Sequence, residues 1–356
     1  MTIVNLVSAP HAHDRSSINR IMAHVCLALV PGTVFCFYLF GWPAINLWLF
    51  SVATAIGTEY IMLRLRHQSA TRLLDWSALL TGWLLALCLP PWAPWWIAVF
   101  GSVFAVSIGK HLYGGLGQNL FNPAMLARTA LLISFPVPMT TWAHATPIFS
   151  SDAPGFWHGL QITLGLLPVA DGMTGATALG ALKTALTQSI PAQQTLQQFS
   201  LYSSGLGLTS GSMGETSALL MLIGGIWLLL VRVISWHIPV TMLATVVALA
   251  TFFHHLNPAL YPPATFHLLS GGLMLGAFFI ATDPVTSPAG KGAQTIFAAG
   301  CGGLTFLIRT WGGYPEAVAF SVLMMNALTP LLDQYLRPRI YGRRRGGRPL
   351  TQRQKR

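Results

Sequence analysis

Long apolar segments alternate with short polar ones along most of this 356-residue chain. Ten apolar windows have the roughly 17 to 25 residues that a helix needs to cross a bilayer. They span residues 21–41, 43–63, 73–90, 94–110, 120–136, 214–232, 238–254, 264–282, 292–309 and 315–334. The pattern predicts an all-α polytopic membrane protein with about ten transmembrane helices.

One long polar stretch separates five of these windows from the other five. The predicted parts of the chain are an N-terminal segment (1–20), a first five-helix unit (21–136), a long loop (137–213), a second five-helix unit (214–334) and a basic tail (335–356).

The composition agrees with a membrane protein. Hydrophobic residues make up 53% of the chain and charged residues only 8%, whereas soluble domains carry about 25% charged residues. The net charge is +11, but nine of the 20 basic residues lie between Arg337 and Arg356, directly after the last apolar window. A basic tail beside a membrane helix is typical of a cytoplasmic segment that contacts anionic lipid. This distribution argues against nucleic acid as a partner.

The remaining basic residues indicate the orientation of the chain. With the N-terminus inside, every basic residue except Lys183 and Arg309 lies in a cytoplasmic segment or at the cytoplasmic end of a window. Lysine and arginine accumulate on the cytoplasmic side of membrane proteins. We therefore expect a multi-pass protein of the bacterial inner membrane, with both termini cytoplasmic and the long loop periplasmic.

The two halves share a weak sequence similarity. Tyr-Gly-Gly and Asn-Pro-Ala within residues 113–124 resemble Trp-Gly-Gly and Asn-Ala-Leu-Thr-Pro within residues 311–330. Because each half has an odd number of windows, the two repeats would be inverted relative to one another, a plan common among transporters. The alternative is a chance likeness between glycine-rich membrane segments.

The long loop contains the sequence Asp171-Gly-Met-Thr174-Gly175-Ala176-Thr177. Its glycines allow a bulky group to approach the main chain. The pattern Asp-x-x-(Ser/Thr)-Gly-Ala-(Ser/Thr) resembles the acceptor of flavin transferases of the ApbE type, which join the phosphate of FMN to the last hydroxyl as a phosphoester. The resemblance predicts covalent FMN on Thr177, and the alternative is an ordinary Gly/Thr turn.

Two further polar breaks interrupt apolar sequence, at residues 115–124 and 281–292. Asn119 and Asn122 place hydrogen-bonding groups at a helix N-terminus, where they would hold an isoalloxazine edge, a cation or nothing. Asp283 precedes a proline at the edge of the membrane. It is expected either to cap a helix or to bind a ligand. Both breaks are cytoplasmic in the predicted topology and are expected to form one pocket.

Other chemistry-bearing residues give no clear site. Glu59 is the deepest acidic residue, and its neighbours Arg64 and Arg66 are possible partners. The other acids at window ends are interpreted as interfacial caps: Asp75, Glu215, Glu316 and Asp333. No residue is assigned to an ion path, to a metal site or to acid, base or nucleophilic catalysis.

The cysteines offer no metal-binding signature. All of them lie inside apolar windows, without Cys-x-x-Cys spacing: Cys26, Cys36, Cys88 and Cys301. They are expected to be free, buried thiols. The chain by itself therefore offers no iron–sulfur or zinc signature.

Four ordered motifs resemble a known family. They are the flavin acceptor, Gly-Gly-Leu-Gly-Gln-Asn-Leu-Phe-Asn-Pro-Ala at 114–124, Gly-Glu-Thr-Ser at 214–217 and Ala-Thr-Asp-Pro-Val-Thr at 281–286. Together they resemble the D subunits of the Rnf electron-transport complex, which are related to the B subunit of the sodium-translocating NADH:quinone reductase. The resemblance covers essentially the whole chain. Many family members have serine at the position of Thr174.

The resemblance implies a membrane subunit of an ion-translocating ferredoxin:NAD oxidoreductase. Such a subunit carries covalent FMN, here on Thr177, and passes electrons while the complex moves Na⁺ or H⁺. The relative also holds a non-covalent riboflavin near its Asn-Pro and Asp-Pro breaks. Expected partners are the other Rnf subunits, including a second flavin subunit and iron–sulfur subunits, and a flavin transferase. The rival interpretations are a channel or transporter without a redox role, and a purely structural membrane protein.

Overall fold

The chain is predominantly helical, as its sequence predicts. The computed structural model describes residues 17–167, 174–188, 190–197, 205, 207, 210–314 and 316–336. The α-helices are α1 Ile18–Leu65, α2 Ser77–Leu87, α3 Trp95–Phe104, α4 Pro123–Ser134, α5 Pro136–Thr140, α6 Phe156–Thr163, α7 Ala178–Thr187, α8 Ala192–Gln197, α9 Ala218–Leu230, α10 His237–Leu256, α11 Ala264–Leu269, α12 Leu273–Leu275, α13 Lys291–Trp311 and α14 Val318–Tyr335. A 3₁₀-helix, Ala70–Asp75, precedes α2. Two short strands, β1 Trp142–Ala143 and β2 Thr174–Gly175, pair antiparallel.

Helix α1 contains both of the first two predicted windows. It begins after Ser17, whose hydroxyl accepts a hydrogen bond from the Arg20 backbone N–H. Its 48 residues would extend about 72 Å if straight, more than twice the roughly 30 Å hydrocarbon core of a bilayer. Gly41 breaks the helix with a φ of 67°. The kink makes α1 two successive helical segments rather than one.

Within the part of the chain that the structure describes, two helices, α1 and α10, are long and apolar enough to cross a membrane on their own. Three shorter apolar helices, α2, α4 and α9, have 10 to 17 residues. Helices also lie within the other predicted windows, but several are short or interrupted. The existence of ten spans therefore stays a prediction from the sequence.

The predicted window 264–282 is not one continuous helix. Helix α11 ends at Leu269, Ser270 is extended, and Gly271 adopts a φ of 68° before the chain resumes in α12. A Cβ at position 271 would collide with the carboxylate of Glu316 and the guanidinium of Arg309. Glycine is therefore required here both by the left-handed backbone and by the close approach of two charged groups.

Two π-helical segments precede the two polar breaks that the sequence singled out. Ala105–His111 extends α3, and Gly276–Ile280 extends α12. Each is followed by an irregular loop that leads into the next helix, α4 or α13. Asn326 is the predicted counterpart of Asn122 in the second half of the chain, but its local structure differs. Asn326 lies in the interior of α14 rather than at a helix N-terminus.

The helices pack around one large hydrophobic core. This core includes buried residues of α1 to α4, α9, α10 and α12 to α14, with Leu29, Leu85, Met242 and Phe297 fully buried. A separate small cluster joins α7, α8 and α11 through Ala178, Leu179, Leu182, Ala192 and Phe266. The small cluster fixes α7, which follows the flavin-acceptor motif, against the second half of the chain.

Candidate functional site

Thr177 lies at the start of α7 and is its N-terminal cap. The residue has an extended backbone, and its Oγ1 accepts a hydrogen bond from the Gly180 N–H at 3.0 Å. The sequence indicated an accessible loop threonine, but this expectation is wrong, because only 7% of Thr177 is exposed. Thr177 shares a small cavity with Glu215, Ser270 and Gly271, which come from other segments of the chain. Attachment of a group to Oγ1 therefore requires the residues that cover it to give access to the hydroxyl.

Two residues of the acceptor motif, Thr174 and Gly175, form strand β2. Thr174 pairs with Ala143 and Gly175 pairs with Trp142. A Cβ on Gly175 would collide with the His144 imidazole, so this glycine permits close approach of the two strands. Ala176 is exposed. Asp171 lies outside the described residues, and so its predicted role in recognition stays a prediction.

Lys183 fixes the middle of α7. Its Nζ donates to the backbone oxygens of Tyr314 at 3.1 Å and Ile308 at 3.4 Å. Partial burial lowers the pKa of the Lys183 ammonium from its ordinary value. These contacts join α7 to the connection between α13 and α14, near the break in the 264–282 window.

A cluster of four charged residues lies beside Thr177. Glu215 lines the same small cavity as Thr177, Ser270 and Gly271. The Glu215 carboxylate is 3.6 Å from the Arg128 guanidinium, and Arg309 Nη2 is 3.4 Å from Glu316 Oε2. We call Arg128, Glu215, Arg309 and Glu316 the four-charge cluster. All four side chains are at most 10% exposed.

Arg309 and Glu316 also hold the broken helix in place. Arg309 donates to the backbone oxygens of His267 at 2.9 Å and Ser270 at 3.0 Å. Glu316 accepts from the Gly272 N–H at 3.0 Å and from the first N–H groups of α14. The predicted capping role of Glu316 is therefore confirmed. Its ion pair was missed, because the topology argument counted Arg309 only as an exception to the charge rule.

The two polar breaks meet at a second site. Asn122 caps α4, since its Oδ1 accepts from the N–H groups of Ala124 and Met125. Its Nδ2 donates to Asp283 Oδ2 at 3.3 Å, although 161 positions separate the two residues. Asp283 also accepts from the Val285 N–H at 3.1 Å. Asp283 therefore forms a local turn and contacts the other break. The expectation that it caps a helix is wrong, because the next helix, α13, begins only at Lys291.

Asn326 joins the two breaks from a third direction. In the amide orientation that satisfies both groups, its oxygen accepts from the Asn122 N–H at 3.1 Å and its nitrogen donates to the Thr286 oxygen at 3.3 Å. Asn326 lies further along α14 than Glu316, and the helical rise gives a separation of about 15 Å along the axis. The second site and the four-charge cluster thus occupy different levels of the same helix.

A cavity opens between the two breaks. Its wall contains Lys110, Asn119, Asn122, Asp283 and Phe278 among other residues. The enclosed part measures about 70 Å³, and the empty space including the open mouth is about 750 Å³. We call it the Asn122–Asp283 cavity. A ring system as large as a flavin fits only if the apolar walls separate.

One buried oxygen in this wall lacks a partner. The Asn119 amide nitrogen donates to the Phe121 oxygen at 3.1 Å, but its Oδ1 has no hydrogen-bond partner among the described residues. Buried polar atoms are nearly always paired in native proteins. This oxygen is therefore free to accept a hydrogen bond from a water molecule or from a ligand with a donor group.

Glu59 does not pair with Arg64 or Arg66, so that expectation is wrong. Its Oε1 accepts from Lys110 Nζ at 2.8 Å, and its Oε2 lies 3.0 Å from His111 Nε2. Arg64 contacts Tyr60 instead. The sequence placed Lys110 at a membrane edge, and only the fold shows that its side chain points inward, where it is 2% exposed.

The cysteines and possible metal ligands add no further site. Cys26, Cys36, Cys88 and Cys301 are buried free thiols, as predicted. Among the described residues, no group of three or more His, Cys, Asp and Glu side chains is arranged to hold a metal ion.

The chain belongs to the NQR2, RnfD, RnfE family. The model of that family matches residues 5–342, nearly the entire chain. The predicted resemblance is therefore confirmed at the level of the family.

Individual relatives share one name, the D subunit of the ion-translocating oxidoreductase complex. The chain is 59% identical to the protein of that name from Stutzerimonas stutzeri, with 95% of this chain and 96% of the relative covered. It is 49% identical to the one from Halorhodospira halophila, with 97% and 98% covered. The corresponding protein of Escherichia fergusonii is 43% identical, with 97% and 100% covered.

Proposed function

We propose that this chain is the multi-pass membrane subunit of a redox-driven, ion-translocating oxidoreductase complex, and that it carries flavin. Two observations support this proposal: similarity over nearly the full chain to proteins named as the D subunit of such a complex, and the acceptor motif ending at Thr177. Its partners are the other subunits of an Rnf-type complex, a flavin transferase and membrane lipid. The chain has no enzymatic activity alone.

Thr177 suits a phosphoester for a physical reason. Its hydroxyl caps a ten-residue helix, and helix N-termini favour the negative charge of a phosphate. Bound FMN would supply electron transfer, while Thr177 holds its phosphate and the strand pairing at Gly175 fixes the attachment loop. Thr177 is an attachment point and takes no part in proton transfer.

Flavin fluorescence tests the function directly. Protein purified with its transferase is expected to retain a fluorescent band on a denaturing gel, because only a covalent bond survives denaturation. A channel, a transporter or a structural protein without redox role would give a colourless sample and a dark band. That result would contradict the proposed function.

The orientation is the second part of the proposal. We place both termini in the cytoplasm and the 137–213 loop in the periplasm, on the basis of the basic residues. A reporter fused after Arg356 is expected to signal the cytoplasm, and one inserted near Gln193 the periplasm. Signals from the same side would overturn the orientation and the location of Thr177.

The Asn122–Asp283 cavity is proposed to hold a second, non-covalent flavin such as riboflavin. Unpaired Asn119 Oδ1 would accept from the ring N–H, while Asn122 and Asp283 offer a donor and an acceptor to its edge or to the ribityl chain. The fit requires the walls to separate, because the enclosed volume is smaller than the ring system.

Asp283→Ala is expected to weaken retention of this flavin by one to two orders of magnitude, since a hydrogen bond to a charged group contributes roughly 1.5–3 kcal/mol. The measurement is flavin released by acid precipitation after identical washing, compared with wild type. Covalent flavin serves as the internal control and should not change. If wild type releases none, or the variant releases as much as wild type, Asp283 serves only the local turn.

A further inference from the structure

Thr177 has almost no free space around it. Only 7% of the residue is exposed, and the cavity that it shares with residues of segments 210–215 and 269–271 encloses about 10 Å³. We call these two segments the Thr177 wall. One buried water molecule needs roughly the volume of this cavity, and a phosphate group is larger than a water molecule. The structure therefore has no room here for the proposed phosphoester, and part of the site must move before a group is joined to Thr177.

The Thr177 wall is anchored in the main core. Met213 is fully buried there, and its N–H donates to the Leu89 oxygen at 3.2 Å. The second segment of the wall is held by Arg309, whose Nη2 donates to the Ser270 oxygen at 3.0 Å. Movement of the wall would disturb the main core and take partners from a buried guanidinium, which is costly. The wall is therefore not the part that opens.

Helices α7 and α8 have a small core of their own. The buried residues of α7 are spaced so that they share one helical face: Ala178, Leu179, Leu182 and Ala185. Phe266 of α11 is the buried member of the small cluster that comes from outside α7 and α8. A unit with few buried contacts to the rest of a protein opens at a lower free-energy cost than the main core.

Two hydrogen-bonding groups also tie α7 and α8 to other described segments. Lys183 Nζ donates to the Tyr314 oxygen at 3.1 Å and to the Ile308 oxygen at 3.4 Å. The Ala192 N–H donates to the Ala259 oxygen at 2.8 Å. Because Lys183 is only partly buried, water can replace its bonds without leaving a buried charge unpaired. The contacts of this unit are thus weaker than those of the Thr177 wall.

We propose that α7 and α8 detach from the Thr177 wall as a unit, and that Thr177 is modified only in the detached form. The inference rests on the proposed function, because it concerns access to the attachment site. In the attachment step the Thr177 oxygen forms a bond to the flavin-side phosphorus of a flavin dinucleotide. The phosphoanhydride bond breaks, the other nucleotide leaves, and the hydroxyl proton passes to solvent. No group is oxidised or reduced.

Thiol accessibility tests the opening without flavin. Full-length Thr177→Cys in detergent is treated with N-ethylmaleimide, and mass spectrometry follows the rate of alkylation. Ala176→Cys is the matched control, because Ala176 is the exposed neighbour. Wild type, whose cysteines are buried, gives the background. Thr177→Cys should react at least about tenfold more slowly than Ala176→Cys, since only detached molecules react. Equal rates would overturn the inference.

Lys183→Met, added to Thr177→Cys, should speed alkylation about tenfold, because it removes two hydrogen bonds that hold α7 in place. Added to Ala176→Cys, the same change should leave the rate unaltered. The Lys183 side chain is only partly buried, so the variant is expected to fold. An unchanged rate for Thr177→Cys would overturn the inference.

Phe266→Ala weakens the same contact from the α11 side, and it should also speed alkylation of Thr177→Cys. Its matched control is Phe297→Ala, which removes a buried phenylalanine from the main core and should leave that rate unchanged. Equal acceleration by both would mean that access comes from loosening of the whole protein, and would overturn the inference. If either phenylalanine variant fails to fold, Lys183→Met decides alone.

Attachment itself provides the second measurement. With Thr177 in place, Lys183→Met and Phe266→Ala should speed the growth of the fluorescent band when purified transferase and a flavin dinucleotide are added. Phe266 lies far from the motif in sequence, so its effect reports access rather than recognition by the transferase. Equal attachment rates in all proteins, despite faster thiol reaction, would overturn the inference. No fluorescent band in any protein, with the expected thiol rates, would instead overturn the proposed function and leave only the opening of α7 and α8.

Discussion

Thr177→Asn is expected to abolish covalent flavin completely while it leaves the fold intact. Asparagine caps helices at least as well as threonine, so the bond to the Gly180 N–H can be kept. Its side chain has no hydroxyl and forms no phosphoester. The measurements are fluorescence on a denaturing gel and the yield of monodisperse protein after purification.

Two further variants separate the hydroxyl from the cap. Thr177→Ser keeps both and should retain covalent flavin. Thr177→Ala removes both, and it should lose flavin and also about 1 kcal/mol of stability, the usual contribution of an N-cap. Asparagine thus isolates the covalent bond from the structural role of the buried side chain.

Thr174→Ala is the matched control within the motif, and it is expected to leave some attachment. Peptide mass spectrometry should find FMN on Thr177 in wild type and in this control. FMN on Thr174, or fluorescence that survives in Thr177→Asn, would contradict the assignment.

The hydropathy pattern gave helix positions where the apolar windows were long and uninterrupted. Helices α10 and α13 begin and end within a few residues of windows 238–254 and 292–309. The break after Leu269 was not predicted. Ser270 and Gly271 are common in membrane helices, and the break depends on Arg309 and Glu316, which approach from other segments.

Convergence of the two polar breaks could be predicted, because the charge-derived topology placed both on one side. The contact between Asn122 and Asp283 agrees with that reasoning. Pairing of Glu59 with Lys110 could not be predicted in the same way. A count of charges on each side of the membrane shows on which side a residue lies, but it does not show where the side chain points. Glu59 and Lys110 also come from different helical segments, so the local sequence does not pair them.

Burial of Thr177 was missed for a related reason. The local sequence around the motif is small and polar, which indicates an exposed turn. Thr177 lines a small cavity together with Glu215 and Ser270, which come from distant segments of the chain. One sequence without an alignment carries no direct signal of such a contact.

Arg309→Ala is expected to lower the free energy of unfolding by roughly 3–5 kcal/mol, the usual cost of leaving one partner of a buried ion pair uncompensated. The guanidinium side chain is 0% exposed. Its removal leaves Glu316 without its cation and leaves the His267 and Ser270 oxygens without their donors. The loss should appear as a lower denaturation midpoint of the detergent-solubilised protein, measured by size-exclusion chromatography.

Two comparisons establish the cause of that loss. Arg72→Ala removes an exposed arginine whose side chain donates a hydrogen bond to Gln68, and it should change stability by less than about 1 kcal/mol. Adding Glu316→Gln to Arg309→Ala should recover part of the lost stability, because it removes the unpaired charge while the side-chain amide still accepts from the Gly272 N–H.

If Arg309→Ala costs no more than Arg72→Ala, the four-charge cluster is solvated and does not hold the broken helix. If it costs several kcal/mol and the double variant recovers none of it, the lost bonds to His267 and Ser270, rather than the unpaired Glu316 carboxylate, account for the stability.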